Sequence, residues 1–158
     1  MKNEMAVARQ YEVLLVEDNP ADAKLIQDAL QGSQHPVHVT VARTAESALD
    51  FLRKRDPHSA LPPFNFILLD LGLPGRNGWE FLSTLKGDPF LKNIPVLILT
   101  GSQDQHDLMR AQFSMADDFL NKPFDLAHLG ALVGYLEENW FKKKEQPPLS
   151  ANRPFPSP

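Results

Sequence analysis

Three short runs of continuous apolar residues constrain the fold of this chain more than any other feature. They are Val-Leu-Leu-Val at 13–16, Phe-Ile-Leu-Leu at 66–69 and Val-Leu-Ile-Leu at 96–99. Strands that are apolar at every position, and not only at alternate ones, are typical of a parallel sheet covered by helices on both faces. Two weaker candidates, at 38–41 and 118–121, bring the predicted sheet to five strands.

Segments with helical spacing lie between these strands. The first helix is expected to begin after Asn19, because asparagine can cap a helix and Pro20 suits its first position, and to end near Gly32. Thr44 can cap a second helix, which is closed by Asp56-Pro57. Further helices are predicted at about 78–86, at about 104–113 and from Asp125 onward. Strand and helix thus alternate five times, which predicts an α/β fold with a doubly wound parallel sheet.

Composition narrows the class of protein. The 158 residues fit one domain, and a net charge of −4 argues against a surface that neutralises nucleic-acid phosphates. The chain has no cysteine, which excludes disulfides, thiolate metal sites and a cysteine nucleophile. No stretch approaches the roughly 20 apolar residues of a membrane span. We therefore expect a soluble, cytoplasmic protein with neither a nucleic-acid nor a membrane partner.

The ends of the chain differ from its centre. Residues 1–10 are expected to form a polar segment, and residues 11–141 a single folded domain. Residues 142–158 are rich in lysine and proline, a composition that cannot build a hydrophobic core. We therefore expect a tail there and no effector domain.

Polar residues follow the strands at their carboxyl ends: Glu17 and Asp18, then Asp70, Thr100 and Lys122. In a doubly wound sheet these ends form the ligand cleft, so the five side chains are expected to converge. Carboxylates held close together repel one another and either take up protons or bind a cation. An all-oxygen set favours Mg2+ over zinc. With a lysine and a hydroxyl available to stabilise a phosphoryl group, Asp70 becomes a candidate nucleophile.

Each of these residues taken alone also has an ordinary structural interpretation. Asp70 could cap a helix or pair with a loop cation, and the Glu17-Asp18 pair could complement a helix dipole. Thr100 could be a plain strand residue and Lys122 a solvated side chain. Their shared placement at one edge of the predicted sheet favours a common site.

Four blocks of sequence resemble the signature blocks of response-regulator receiver domains. They are V-E-D-N-P-A-D at 16–22, L-L-D-L-G-L-P-G-R-N-G at 68–78, L-T-G-S at 99–102 and A-D-D-F-L-N-K-P-F at 116–124. The resemblance covers roughly residues 11–140. It implies a flavodoxin-like (β/α)5 fold with strand order 2-1-3-4-5. It also implies a signalling protein that is not an enzyme in the usual sense, although it assists its own phosphotransfer and dephosphorylation.

The resemblance assigns a role to each site residue. Asp70 matches the aspartate that accepts a phosphoryl group from a sensor histidine kinase. Glu17 and Asp18 match the acidic pair that holds Mg2+ together with Asp70 and the backbone carbonyl of Gly72.

The remaining matches concern signalling from the site. Thr100 matches the hydroxyl that moves to the phosphoryl group, Lys122 matches the pairing lysine, and the bond before Pro123 matches a peptide that receivers usually keep cis. Phe119 stands at the aromatic switch position, where tyrosine is common. Phenylalanine has no hydroxyl, so we expect it to signal through packing alone.

A narrower resemblance concerns the small regulators that partner bacterial phytochromes. It rests on residues 17–22 and 86–89, on the single domain and on an extended last helix. It implies a phytochrome-type kinase and a homodimer through the face of the fourth helix, fifth strand and fifth helix. Trp140 and Phe141 are candidates for that partner surface, because aromatic residues are enriched at interface centres. The alternative is that they cover the base of their own domain.

Two other functions compete with a phosphorylated signalling module. A Mg2+-dependent phosphatase of the dehalogenase-like kind also uses a strand-end aspartate, but it needs a second acid two residues later, where this chain has Gly72. A receiver fold could instead serve as an unphosphorylated binding or dimerisation module. Such modules typically lack one of the site residues, and here the full set is present.

Overall fold

The structure, a computed structural model, describes residues 10–55, 58–71, 78–100, 116–122 and 126–141. Its centre is a parallel sheet of five strands in the order β2-β1-β3-β4-β5. The strands are β1 Tyr11–Val16, β2 Val37–Ala42, β3 Phe66–Asp70, β4 Val96–Thr100 and β5 Asp118–Asn121. All five predicted strands are confirmed, as is the doubly wound order.

Four helices and one further turn lie in the described residues. They are α1 Pro20–Gln31, α2 Ala45–Arg53, α3 Gly78–Lys86 and α4 Leu126–Leu136, which continues into a π-helical turn at Glu137–Phe141. The side chain of Asn19 accepts a hydrogen bond from the backbone of Asp22, and Thr44 accepts one from Ser47, so both predicted caps are confirmed. The helix predicted at about 104–113 lies outside the described residues.

Alternate residues of the central strands face opposite layers of helices, which explains why these strands are apolar throughout. On one face, Leu14, Val16, Ile67 and Leu69 pack with residues of α2 and α3. On the other face, residues such as Leu15 and Leu68 pack with α1 and α4. Each fully buried side chain of this size contributes roughly 1.5–3 kcal/mol. This double core fixes the strand ends at which the polar residues stand.

The π-helical turn closes the amino edge of the sheet. Phe141 is fully buried, and its ring lies 4.7 Å from that of Tyr11 and 5.7 Å from that of Phe66. The Tyr11 hydroxyl donates to the Phe141 carbonyl at 2.7 Å. Trp140 is half-buried, with its ring 5.0 Å from Phe66.

This packing corrects one expectation about the partner surface. Phe141 lies inside its own chain, so it does not present its ring to a partner. Of the two aromatic residues, Trp140 alone keeps an exposed part. No helix in the described part of the chain is long and apolar enough to span a membrane.

Candidate functional site

The carboxyl edge of the sheet brings together four of the predicted side chains. Glu17 and Asp18 follow β1, Asp70 ends β3, and Lys122 follows β5. Glu17, Asp18 and Asp70 each offer a carboxylate oxygen, and the three oxygens lie within 4.8 Å of one another. Parallel strands end at the same edge, which is why residues more than 100 positions apart meet there.

The three acids differ in their exposure. Glu17 has no exposed surface and Asp70 only 7%, whereas Asp18 is half-buried. Oε2 of Glu17 accepts a hydrogen bond from the backbone of Asn19 at 3.1 Å, which ties this carboxylate to the start of α1. Asp18 therefore faces the open side of the cleft, and Glu17 forms its inner wall.

Lys122 joins three carboxylates. Its Nζ lies 2.8 Å from Oε1 of Glu17, 2.9 Å from Oδ2 of Asp22 and 3.2 Å from Oδ2 of Asp70. The lysine side chain is nine-tenths buried. It therefore supplies a positive charge that lies directly beside the Asp70 carboxylate.

Asp22 is a member of this cluster that the sequence reasoning missed. It stands in the first turn of α1, four residues after Asp18. Side chains in a helix point back toward its amino end, so an acid in the first turn of α1 faces the edge of the sheet. The position of Asp22 three residues after the helix cap was therefore a signal that could have been read.

The electrostatics of the cluster follow from burial. Burial raises the pKa of the Glu17 carboxyl from 4.5 to about 7, and the charge of Asp70 adds to this, against the opposing effects of Lys122 and the Asn19 backbone. Burial acts to lower the pKa of Lys122, but hydrogen bonds to Glu17 and Asp22 and the charge of Asp70 outweigh it, so this pKa lies above its usual value. Lys122 therefore stays protonated at neutral pH, whereas a pKa of about 7 means that the Glu17 carboxyl titrates near neutral pH.

The donor set fits a hard divalent cation. Oε1 of Glu17 is buried, with the Lys122 ammonium 2.8 Å away. Three carboxylates share that ammonium, so the cluster keeps an excess of negative charge that a bound cation would neutralise. Carboxylate oxygens without sulfur or imidazole ligands suit Mg2+, Mn2+ or Ca2+.

The other predicted site residues are placed less fully. Thr100 ends β4, and its backbone pairs with that of Asn121 at the same edge. Phe119 lies within β5, where its backbone pairs with Ile98. Gly72 and Pro123 lie outside the described residues, so the backbone ligand and the cis peptide stay predictions.

Comparison with known proteins places this cleft in a family. The sequence model of the response regulator receiver domain matches residues 13–134. This chain belongs to the response-regulator receiver family. Receivers are signalling modules of two-component systems, and the flavodoxin-like sheet of this chain is the fold of that family.

Similar receivers are known in sequence and in structure. The chain is 35% identical to the response regulator Rcp1 of a Synechocystis species, over 82% of this chain and 88% of that protein. It resembles the phosphorylated cyanobacterial phytochrome response regulator RcpA at 35% identity and a TM-score of 0.73, over 85% of this chain and 96% of that one. The Mn2+-bound form of Rcp1 gives a TM-score of 0.73 at 34% identity, over 87% and 99% of the two chains.

Proposed function

We propose that this receiver accepts a phosphoryl group on Asp70 from a sensor histidine kinase, with Mg2+ bound in the cleft. The observation that carries the proposal is the contact of Lys122 with a buried aspartate that ends a central strand, beside two further acids. Phosphoryl transfer depends mainly on positioning and on neutralising charge, and this cleft offers both.

The transfer itself needs little covalent machinery. A carboxylate oxygen of Asp70 attacks the phosphorus of the donor, so an O–P bond forms while the P–N bond to the kinase histidine breaks. The imidazole leaves with the electron pair of that bond and takes up a proton. Lys122, 3.2 Å from the carboxylate, neutralises charge on the phosphoryl oxygens.

Other groups of the cleft complete the site in this proposal. Glu17, Asp18 and Asp70 hold the metal, with the Gly72 carbonyl as a further ligand. Bound Mg2+ neutralises the negative charge that the carboxylates and the phosphoryl group bring together. In this proposal Thr100 contacts the phosphoryl group. Phosphorylation then alters the packing of Phe119, which changes the surface that partners bind. Attack of water on the aspartyl phosphate resets the protein.

The first test is phosphorylation by acetyl phosphate, a small donor that needs no kinase. The parent protein with Mg2+ is expected to gain the mass of one phosphoryl group, and neither the parent in EDTA nor Asp70→Asn should gain it. Asp28→Asn, on the solvent face of α1, is a matched control for the loss of one acid. A parent that stays unmodified with its fold and Mg2+ binding intact would favour the unphosphorylated binding module.

We propose a phytochrome-type histidine kinase as the donor in the cell. The support is the similarity to Rcp1 and RcpA over most of both chains. Transfer from a purified, autophosphorylated phytochrome kinase should be at least tenfold faster than transfer from an unrelated histidine kinase, because cognate pairs are matched at their interface. Equal rates from both kinases would contradict this assignment.

We also propose that residues 11–141 form the receiver and that output passes through protein contacts, including a homodimer. The dimer would use the face of the fourth predicted helix, β5 and α4, of which 104–113 lies outside the described residues. β5 is an edge strand of the described sheet, and the indole nitrogen of the half-buried Trp140 donates to Oδ2 of Asp118, the first residue of β5, at 3.4 Å. Light scattering with and without acetyl phosphate tests the dimer, and a monomer at all concentrations would exclude it.

A further inference from the structure

A cavity of about 650 Å3 lies at the amino edge of the sheet, at the other end of β3 from Asp70. Its walls come from the end of α2, from residues 58–64 and from residues 88–94 between α3 and β4. Small-molecule sites in proteins typically measure about 300–1,000 Å3, so this volume is sufficient for a ligand. None of the described residues of the carboxylate cleft lines this cavity.

The apolar wall of the cavity is unusually exposed. The side chain of Phe90 is 74% exposed and that of Leu61 is 48% exposed, while Leu52, Phe64 and Leu91 form a buried floor. Neighbouring exposed apolar side chains that border a cavity mark a place where another apolar group binds.

The polar wall offers hydrogen-bond donors. Arg55 is nine-tenths buried, and its guanidinium lies 4.0 Å above the Phe64 ring. Nη1 donates to Oε1 of Glu12 at 2.9 Å and to the Pro62 carbonyl at 3.1 Å. In the part of the chain that the structure describes, nothing accepts a hydrogen bond from its Nε or Nη2. Neither nitrogen is a buried donor without a partner, so both stay open to a ligand in the cavity, and a carboxylate is the group that fits a guanidinium edge best.

The charges of the described residues around the cavity also favour an anionic ligand. Arg53 adds an exposed positive charge to the wall that holds Arg55. Asp88 also lines the cavity, but its Oδ1 accepts a hydrogen bond from the backbone of Phe90 at 2.8 Å and closes that turn. Among the described residues that line the cavity, the remaining polar ones, His58 and Ser59, carry no negative charge.

We infer that this cavity binds a small amphipathic carboxylate, whose acid meets Arg55 and Arg53 and whose apolar body lies against Phe90 and Leu61. A peptide strand is a poorer occupant, because β1, β3 and β4 are each paired on both sides and offer no free edge. This inference does not rest on phosphorylation of Asp70.

Two naphthalene probes of opposite charge test the inference on the full chain. Titration of 15N-labelled protein with 1-naphthaleneacetate should give saturable shifts of backbone amides centred on residues 53–55, 58–64 and 88–94. The cation 1-naphthylmethylammonium, with the same ring, should bind about tenfold more weakly, a difference of about 1.4 kcal/mol.

Three variants separate the parts of the site. Phe90→Ala should weaken binding of the anion at least threefold, because it removes most of the exposed apolar wall. Arg53→Gln should reduce the preference for the anion. Leu25→Ala removes an exposed apolar side chain from α1, away from the cavity, and should change neither probe.

Several results would overturn the inference. They are equal affinities for the two probes, shifts centred elsewhere, no saturable shift at millimolar concentration, and an effect of Leu25→Ala as large as that of Phe90→Ala. Binding of an acidic, aromatic peptide without binding of 1-naphthaleneacetate would reassign the cavity to a protein partner.

Discussion

A carboxylate at the end of a buried strand loses most of its hydration, and Asp70 keeps only 7% of its surface exposed. The Lys122 ammonium forms an ion pair with this carboxylate at 3.2 Å, but it also forms ion pairs with Glu17 and Asp22. The cluster therefore holds more negative than positive charge among its described residues. Strand-end position and residue type were enough to predict that Glu17, Asp18, Asp70 and Lys122 come together, because parallel strands end at the same edge of the sheet.

Asp22 tests whether the shared lysine controls metal binding. Its carboxylate adds negative charge to the cleft and shares Lys122 with Glu17 and Asp70, so Asp22→Asn should weaken Mg2+ binding about three- to tenfold, or about 1 kcal/mol in a largely hydrated cleft. Isothermal titration with Mg2+ measures this. Asp28→Asn, which removes an equal charge from the exposed face of α1, should leave the affinity unchanged. An equal loss in both variants would mean that only the net charge of the protein matters.

Glu17 gives the metal-free protein a specific pH dependence. Its folded pKa of about 7 lies above the ordinary value of 4.5, so the folded state holds this proton more tightly than the unfolded state. The stabilisation is fully present below pH 4.5 and is lost as pH rises through 7, at most on the order of 3 kcal/mol. In EDTA, the difference in unfolding free energy between the parent and Glu17→Gln should therefore change between pH 5 and pH 8, with the parent losing more. A difference independent of pH would show that Glu17 does not titrate in this range.

At the scale of elements, strand and helix positions were predictable because the local signals agreed with the tertiary packing. Asn19 and Thr44 cap α1 and α2 as their positions suggested, and the continuous apolar runs became strands buried on both faces. The burial of Phe141 was not predictable, since nothing in its local sequence distinguishes an exposed aromatic from one that packs on Tyr11, 130 positions earlier. Only the tertiary structure brings that partner into place.

Phe141 should therefore behave as a core residue of the whole domain. Phe141→Ala removes a ring that is fully buried among Tyr11, His35 and Phe66, and it should lower the free energy of unfolding by about 3–5 kcal/mol. Trp140→Ala, at a half-buried position in the same turn, should lower the free energy of unfolding clearly less than Phe141→Ala does. Urea unfolding followed by circular dichroism measures both. If the order of the two variants were reversed, the π-helical turn would not be docked as described.

At the scale of the whole molecule, the two edges of the sheet have opposite characters. An aromatic cluster of Tyr11, Phe66 and Phe141 covers part of the amino edge and stabilises the fold, whereas the carboxyl edge collects carboxylates whose mutual repulsion opposes it. Burying like charges for function at a cost in stability is common in active sites. Removing or neutralising one of these carboxylate charges should therefore raise the free energy of unfolding.

The Asp70→Asn variant tests whether carboxylate repulsion lowers stability, because it removes one of the charges and the phosphoacceptor together. In EDTA at pH 8 the variant should be more stable than the parent by about 1–2 kcal/mol, because one of the repelling charges is gone while the amide oxygen can still accept a hydrogen bond from Lys122. Mg2+ at one hundred times its dissociation constant should stabilise the parent by about 2.7 kcal/mol. The variant offers the metal a neutral amide oxygen in place of a carboxylate and should gain less, so its advantage in unfolding free energy over the parent should shrink or reverse in Mg2+. Urea unfolding in both buffers measures the four free energies. A variant that is less stable than the parent in EDTA would mean that Asp70 stabilises the fold through its ion pair, and that the cleft carries no stored repulsion for a metal or a phosphoryl group to relieve.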